Sequence, residues 1–450
     1  MGEKLLSVGL DVGTTSTQMV VSRLTVENQA SAFSVPDMEI RQRELLYQSP
    51  VYFTPLLEGN RMDAAALRRL VEQEYEKAGI TRQMVDTGAV IVTGESSRTE
   101  NAAAVMEALS DLAGHFVVAA AGPDLESVLA AKGAGAVDYS GRTGETVLHM
   151  DIGGGTSNLA LIQKGEITAT GCMNVGGRLV KLERGIITYV SPVLQGIFHK
   201  QVGEALSQEE ARHLTVRLAE ALEMAAGLRP SDGLLEQLTT REAAGALPLS
   251  APGEKLTLSF SGGVADCIER EIPWQEFGDI GPLLGQAIGT SRLCSGKYVL
   301  GTNTIRATVI GAGCHSTQLS GSTVYSQNVQ FPLKNIPVIT QKAQRSQQEG
   351  NVFFALPGVR SPTYAQVQQM AAEISRLPQP IYLCLEQDMA KALGQAMALR
   401  LGRNAEILCI DRIRVHPGDY LDVAAPVGPA FPVVVKTLVL QKRDIEGGSI

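Results

Sequence analysis

The sequence predicts an α/β protein built from two duplicated lobes and an additional C-terminal α/β module. Strand-like and helix-like segments alternate along the chain, one strand–turn–strand unit occurs twice, and the pattern changes near residue 331. At about 150 residues per domain, a chain of 450 residues has room for three such units. We place them at 1–150, 151–330 and 331–450.

Composition and charge narrow the class of protein. Hydrophobic residues make up 44% and charged residues 19%, which is typical of a globular chain. The net charge is −8 without a basic block, so we expect no nucleic-acid partner. The N-terminus has too short an apolar stretch for a secretory signal, and no apolar run approaches about 18 residues, so we expect no membrane association. Six scattered cysteines without a C-x-x-C pattern favour a reducing cytoplasm.

The first element is a strand–turn–strand unit. Apolar residues alternate with small or polar ones from Leu6 to Val12, which predicts a strand that ends at Gly13. The turn that follows is rich in hydroxyl groups, and 18–24 is typical of a second strand.

The same unit returns at 146–168. Asp151 aligns with Asp11 and Gly153 with Gly13, without a gap. An internal repeat of this kind indicates a duplicated domain, so we expect two similar lobes that face each other.

Periodicity and capping signals predict the other elements. The predicted helices are 63–78, 99–114, 124–136, 207–226 and 306–320, and the predicted strands are 88–95, 115–122 and 256–260. In the C-terminal module, six strand-like runs surround helical stretches near 363–376 and 388–401.

The two turns indicate a phosphate-binding chemistry. Glycines and small hydroxyl residues after a strand let backbone N–H groups approach a phosphate, and two facing turns could hold a polyphosphate from both sides. Asp11 and Asp151 precede the turns and suit Mg²⁺, which prefers a few carboxylates, water and phosphate oxygens. A tight hairpin without a ligand is the alternative for one copy. Two copies in register, with Ser261-Gly262-Gly263 downstream, favour the nucleotide site.

These residues match the motifs of a known superfamily. Residues 11–16 resemble the first phosphate motif, 151–156 the second and 261–264 the adenosine motif of the actin, sugar-kinase and heat-shock chaperone ATPases. The resemblance implies actin-like lobes around a nucleotide cleft, with ATP and Mg²⁺ as ligands. It implies that 124–136 and 306–320 are connecting helices, the latter returning to the first lobe. The implied nucleotide-binding residues are Gly13, Thr14, Thr15, Ser16, Gly153, Gly154, Gly155, Thr156, Ser261, Gly262 and Gly263.

The same resemblance implies three catalytic residues. Asp11 and Asp151 would hold Mg²⁺, through water. In the heat-shock members a glutamate on the first connecting helix positions the attacking water, and Glu126, 25 residues before Asp151, matches it by spacing. A glutamate that only complements the helix dipole is the alternative for Glu126. For His149 we expect a packed strand residue and not a metal ligand.

Over most of the chain the sequence is similar to the ethanolamine ammonia-lyase reactivating factors of bacterial ethanolamine utilisation. The stretches that carry this resemblance are LLSVGLDVGTTSTQMVVSRL, AVIVTGESSRTENAA, HMDIGGGTSNLALIQKGEI and FSGGVADCI. The resemblance implies an ATPase that releases damaged cobalamin from adenosylcobalamin-dependent ethanolamine ammonia-lyase, its partner. It leaves room for a homo-oligomer and for association with a bacterial microcompartment. A small-molecule kinase of the same superfamily and an actin-like scaffold are the alternatives.

Overall fold

The structure is a computed structural model. It describes residues 3–13, 16–30, 38–57, 61–92, 105, 109, 117–120, 123–240, 247–251, 253–301, 304–315, 317–321, 323–340, 350–413, 415, 419–426 and 428–437. The strands are β1 (Glu3–Val12), β2 (Ser16–Asn28), β3 (Met38–Gln48), β4 (Tyr52–Phe53), β5 (Thr87–Val92), β6 (Val117–Ala120), β7 (Val147–Ile152), β8 (Ser157–Gln163), β9 (Glu166–Met173), β10 (Val180–Glu183), β11 (Ile186–Val190), β12 (Thr257–Ser261), β13 (Tyr298–Leu300), β14 (Thr317–Leu319), β15 (Tyr325–Gln327), β16 (Leu333–Ile339), β17 (Phe353–Leu356), β18 (Ile381–Leu385), β19 (Ile407–Asp411), β20 (Asp419–Val423) and β21 (Pro432–Thr437). The helices are α1 (Ala64–Lys77), α2 (Pro123–Gly133), α3 (Ala136–Thr143), α4 (Gln208–Ala225), α5 (Gly233–Leu238), α6 (Gly281–Gly289), α7 (Ala307–Ile310), α8 (Tyr364–Ile374) and α9 (Ala390–Leu401).

The first two sheets have the same topology. The first has the order β3-β2-β1-β5-β6, with β4 beside β2, and the second has the order β9-β8-β7-β12-β13. In each sheet three antiparallel strands are followed by two parallel ones. The predicted α/β fold with a duplicated lobe is therefore confirmed.

The C-terminal sheet has eight strands in the order β14-β21-β20-β16-β17-β18-β19-β15, and β10 and β11 form a separate two-stranded sheet. The central strands β16 to β19 of the C-terminal sheet are parallel, and α8 and α9, which lie within the helical stretches predicted near 363–376 and 388–401, connect β17 to β18 and β18 to β19. β14 and β15 belong to this sheet although they precede residue 331. β7 lies wholly in the second sheet and spans the predicted boundary at 150/151.

Helix ends follow the local signals. Asp63 caps α1 by accepting from the backbone N–H of Ala66 at 2.9 Å. Ser207 caps α4 in a complete capping box with Glu210. The buried face of α4 packs with α5 and α6 over the second sheet, in the largest apolar cluster of the described residues. Within that described part, no helix has both the length and the apolar character needed to cross a membrane.

Some predicted elements lie partly outside the described residues. Of the predicted helix 99–114 only residues 105 and 109 are described, and both are helical. The predicted strands 88–95 and 115–122 are described at 87–92 and 117–120.

The predicted helix 306–320 is wrong beyond its first part. α7 ends at Ile310, a π-helical turn occupies Gly311–His315, and 317–319 forms β14. Two glycines weaken this segment as a helix. Its last residues pair instead with β21, more than a hundred residues later, which no local pattern could indicate. The segment does return to the first sheet, because the Ser7 hydroxyl donates to the Gly313 carbonyl at 2.5 Å.

The two segments that connect the first two sheets touch through their main chains. A Cβ atom at Gly133, the last residue of α2, would overlap the carbonyl oxygen of Ala307. A Cβ atom at Gly311 would overlap the carbonyl oxygen of Leu129. Only glycine permits so close an approach of α2 to α7 and the turn after it.

Candidate functional site

The two predicted phosphate turns share one backbone geometry. The N–H of Gly13 donates to the carbonyl of Ser16 at 2.9 Å, and the N–H of Gly153 donates to the carbonyl of Thr156 at the same distance. Thr14 and Thr15 lie outside the described residues. Gly154 and Gly155 form the tip of the second turn, and a Cβ atom at Gly155 would meet no neighbour among the described atoms.

Asp151 is the centre of a buried hydrogen-bond chain. Its side chain accepts from the Ser261 hydroxyl at 2.5 Å and from the Thr308 hydroxyl at 3.4 Å. Ser261 also lies 3.0 Å from Nε2 of His149, whose Nδ1 lies 3.0 Å from the Ser259 hydroxyl. The predicted second phosphate motif, the start of the predicted adenosine motif and α7 therefore meet at one carboxylate.

In this hydrogen-bond chain His149 donates a hydrogen bond to Ser261, and Ser261 donates one to Asp151. Burial lowers the pKa of His149 to about 3, so its ring is neutral at physiological pH. Ser261 has one proton, which it donates to Asp151, so Nε2 of His149 must carry the ring proton and donate to Ser261. Nδ1 then accepts from Ser259. His149 is a packed strand residue, as predicted, and it also orients the hydroxyl that holds Asp151.

Burial also raises the pKa of Asp151 from 3.8 to about 6, because the side chain is only 8% exposed; its bonds to Ser261 and Thr308 oppose that shift. A carboxylate with a raised pKa stabilises the fold below its unfolded pKa, and that contribution is lost as the pH rises from about 4 to about 6. At neutral pH the ionised side chain therefore costs roughly 3 kcal/mol in the absence of a cation.

We predict that Asp151→Asn stabilises the protein without nucleotide or metal at pH 7. The neutral amide avoids the cost of burying a charge, so the apparent Tm in EDTA should rise by a few degrees. The difference from the wild type should shrink as the pH falls towards 4. Thermal unfolding at pH 7 and pH 4.5 measures both. A variant less stable than the wild type at pH 7 would contradict the assigned burial cost.

The predicted adenosine motif, residues 261–264, packs against the predicted second phosphate motif, residues 151–156. Gly262 has φ +87°, and a Cβ atom there would overlap the carbonyl oxygen of Ile152. The N–H of Gly262 donates to the carbonyl of Thr304 at 2.8 Å, and Gly263 faces the Ile305 side chain. Glycine is required at 262 both by the backbone conformation and by the space.

Glu126 reaches the second motif through one amide. It is buried in α2, and its Oε2 accepts from Nδ2 of Asn158 at 2.9 Å. Asn158 lies directly opposite Asp151 in the β7–β8 pair. Glu126 therefore lies in the first turn of α2 and also contacts Asn158, the residue beside Asp151.

The first motif meets the second through two routes. The Gln18 amide nitrogen donates to the carbonyl of Ile305 at 3.1 Å, three residues before the Thr308 that contacts Asp151. Ser16 pairs with Phe53 of β4, and the Arg178 guanidinium lies 5.9 Å from the Phe53 ring centroid.

Arg178 connects this contact to the second turn. The main-chain N–H of Arg178 donates to the carbonyl of Gly154 at 2.6 Å, and the Arg178 side chain forms an ion pair with Asp279 at 3.2 Å. Asp11 is partly buried at the end of β1, opposite Gln18. The described residues of the two turns are thus connected through Phe53 and Arg178.

Sequence reasoning missed Thr308, Ser259 and the amides Gln18 and Asn158. Thr308 and Ser259 carry no local signal, because each acts on a residue more than a hundred positions away. The amides could have been found by counting the register outward from each turn, which places Gln18 opposite Asp11 and Asn158 opposite Asp151.

Known proteins resemble this chain over almost its whole length. A family described as "Ethanolamine utilisation protein EutA" matches residues 3–441. Two relatives are named "Ethanolamine ammonia-lyase reactivase EutA". The Salmonella typhimurium protein is 38% identical and the Escherichia coli protein 39% identical, each over 97% of this chain and 98% of the relative.

A crystal structure of a Ppx/GppA family member from Aquifex aeolicus is similar at 14% identity and a TM-score of 0.43, and the match covers 69% of this chain and 97% of that one. The family match and the two relatives decide the relationship, since they extend over nearly the full chain. This protein belongs to the EutA family of ethanolamine utilisation proteins.

Proposed function

We propose that this protein is a reactivating factor for ethanolamine ammonia-lyase and that it binds and hydrolyses ATP between its first two sheets. The observation that carries the nucleotide part is the repeated turn, with the same Gly N–H to carbonyl hydrogen bond at Gly13 and Gly153. The partner is suggested by the names of the two relatives.

The residues present fit a nucleotide with Mg²⁺. Asp151 is a buried anion whose charge no described cation pairs with, which suits a site completed by a cation. Mg²⁺, when bound, neutralises phosphate charge. We propose that Asp11 and Asp151 hold it through water, and that backbone N–H groups of the turns other than those of Gly13 and Gly153, which close the turns, face the phosphates, those of 154–156 among them. Ser261, Gly262 and Gly263 would line the adenosine side.

Glu126 is proposed to orient the attacking water. Its carboxylate is held by Asn158 and so has a fixed direction, which a positioned base or water acceptor needs. The role of Asn158 in holding Glu126 supports this proposal over a side chain that only complements the dipole of α2.

The proposed work is a shift between two conformations. Damaged cobalamin can leave the lyase only if the lyase opens, and a reactivase that prefers the open lyase in one nucleotide state would favour that form. A shift from about 1% to about 99% open requires a preference of about 5.5 kcal/mol.

The test is the recovery of blocked lyase. Ethanolamine ammonia-lyase inactivated with cyanocobalamin is mixed with this protein and fresh adenosylcobalamin, with and without ATP and Mg²⁺. We expect released cyanocobalamin and restored deamination only with ATP and Mg²⁺. Equal exchange with and without ATP would overturn the proposal. ATP-dependent sedimentation of the protein alone would favour the scaffold, and phosphorylation of a small acceptor would favour the kinase.

A further inference from the structure

Two amide side chains occupy equivalent places beside the motif aspartates. Gln18 lies directly across from Asp11 in the β1–β2 pair, and Asn158 lies directly across from Asp151 in the β7–β8 pair. Directly opposed residues of an antiparallel pair project from the same face, with Cβ atoms about 5 Å apart. Each copy of the repeat therefore carries one carboxylate and one carboxamide side by side.

Both amides are buried, and each has one oxygen without a donor. Gln18 is 5% exposed and Asn158 is 4% exposed. Oε1 of Gln18 and Oδ1 of Asn158 have no hydrogen-bond partner among the residues that the structure describes. Buried polar atoms are nearly always satisfied in proteins. A matched pair of acceptors, one on each copy, that no described residue satisfies suits a bound ligand that donates to both.

The chemistry of the other end fixes the direction of each amide. Nε2 of Gln18 faces the carbonyl oxygen of Ile305 at 3.1 Å, and Nδ2 of Asn158 faces the Glu126 carboxylate at 2.9 Å. The Ile305 carbonyl can only accept a hydrogen bond, and Oε2 of Glu126 accepts from Nδ2 of Asn158, so the nitrogen of each amide faces these partners. The two oxygens therefore point away from these partners as acceptors, and exchanging O for N does not remove the deficit.

The group that donates to these two amide oxygens must fit among several other acceptors, because the carboxylates of Asp11 and Asp151 are adjacent. Phosphate oxygens are acceptors and cannot satisfy an amide oxygen. Water bound to a divalent cation has two polarised protons, and Mg²⁺ usually keeps several of its waters. Its charge also suits the neighbouring carboxylates of Asp11 and Asp151.

On the basis of the proposed function, we propose that Gln18 and Asn158 position the water shell of Mg²⁺, each accepting a hydrogen bond from a metal-bound water through its unsatisfied amide oxygen. They are positioning residues that act on the ion through water. The duplication then supplies one carboxylate and one amide to the hydrated ion from each lobe.

The test measures how strongly Mg²⁺ tightens nucleotide binding. Gln18→Met and Asn158→Leu keep the approximate size of each side chain and remove both the acceptor oxygen and the donor nitrogen of the amide. Gln237→Met is the matched control, because the Gln237 amide also donates to carbonyls, those of Val193 and Gln195, but does so at the surface away from the turns. The affinity of the full-length proteins for fluorescent ADP is titrated in Mg²⁺ and in EDTA, and Mn²⁺ binding in the presence of ADP is followed by electron paramagnetic resonance.

In each site variant we expect the ratio of the ADP affinity in Mg²⁺ to the ADP affinity in EDTA to fall about tenfold, and the Mn²⁺ affinity to fall about tenfold. The ADP affinity in EDTA should stay within about twofold of the wild type. The control should match the wild type in all three. A merely structural role would weaken binding in EDTA as much as in Mg²⁺, and that result, or an unchanged ratio, overturns the role of the amides alone. A wild type that binds no nucleotide overturns the proposed function and this inference with it.

Discussion

Replacing Asp151 by Asn is expected to lower the rate of Mg²⁺-dependent ATP hydrolysis by at least about 100-fold. The amide has nearly the shape of the carboxylate but lacks its charge. Its carbonyl oxygen can keep the hydrogen bond from Ser261, and its NH₂ group then faces the more distant Thr308 hydroxyl, which can rotate to accept. Phosphate release at saturating ATP, with Mg²⁺ and with EDTA, measures the loss.

Two comparisons make this result specific. Asp138→Asn changes an exposed aspartate in the first turn of α3 and should leave hydrolysis unchanged. The apparent Tm of Asp151→Asn without ligand should lie above that of the wild type, so that inactivity cannot be attributed to misfolding. Wild-type rates in Asp151→Asn would refute its place at the metal.

Replacing Gly133 by Ala is expected to destabilise the protein by about 3 kcal/mol or more. The new methyl group would overlap the main-chain carbonyl of Ala307, and a main chain held by a helix cannot move aside as a side chain can. Unfolding in urea, followed by circular dichroism, measures the change.

Gly296→Ala is the matched control. A Cβ atom at Gly296 would meet no neighbour among the described atoms, and its φ is not positive, so stability should change by less than about 0.5 kcal/mol. If Gly133→Ala behaves like this control, then α2 and α7 are not in main-chain contact.

The parts of the fold that sequence could predict depend on short-range signals. The alternation of Leu6 to Val12, the cap at Asp63 and the capping box at Ser207 are each decided within a few residues, and the structure confirms all three. The repeat adds a comparison across 140 positions, which is why the second turn could be aligned with the first.

The parts that could not be predicted depend on distant partners. The segment after Ile310 leaves the helix because β14 pairs with β21, and Asp151 is held by Ser261 and Thr308 from other elements. No local sequence signal near these residues identifies their distant partners. The nucleotide and catalytic roles of the turn residues and of Glu126 remain predictions.

The main-chain contact at Gly133 and Gly311 also limits how the two lobes can move. Side chains between two helices can repack in several ways, whereas a contact of backbone on backbone has one separation and leaves rotation as the available motion. Under the proposed function, ATP would favour one angle between α2 and α7, and the protein would bind the lyase at another angle. Both ligands would then act on the same rotation. Linkage then demands reciprocity: the factor by which ATP changes the affinity for the lyase equals the factor by which the lyase changes the affinity for ATP.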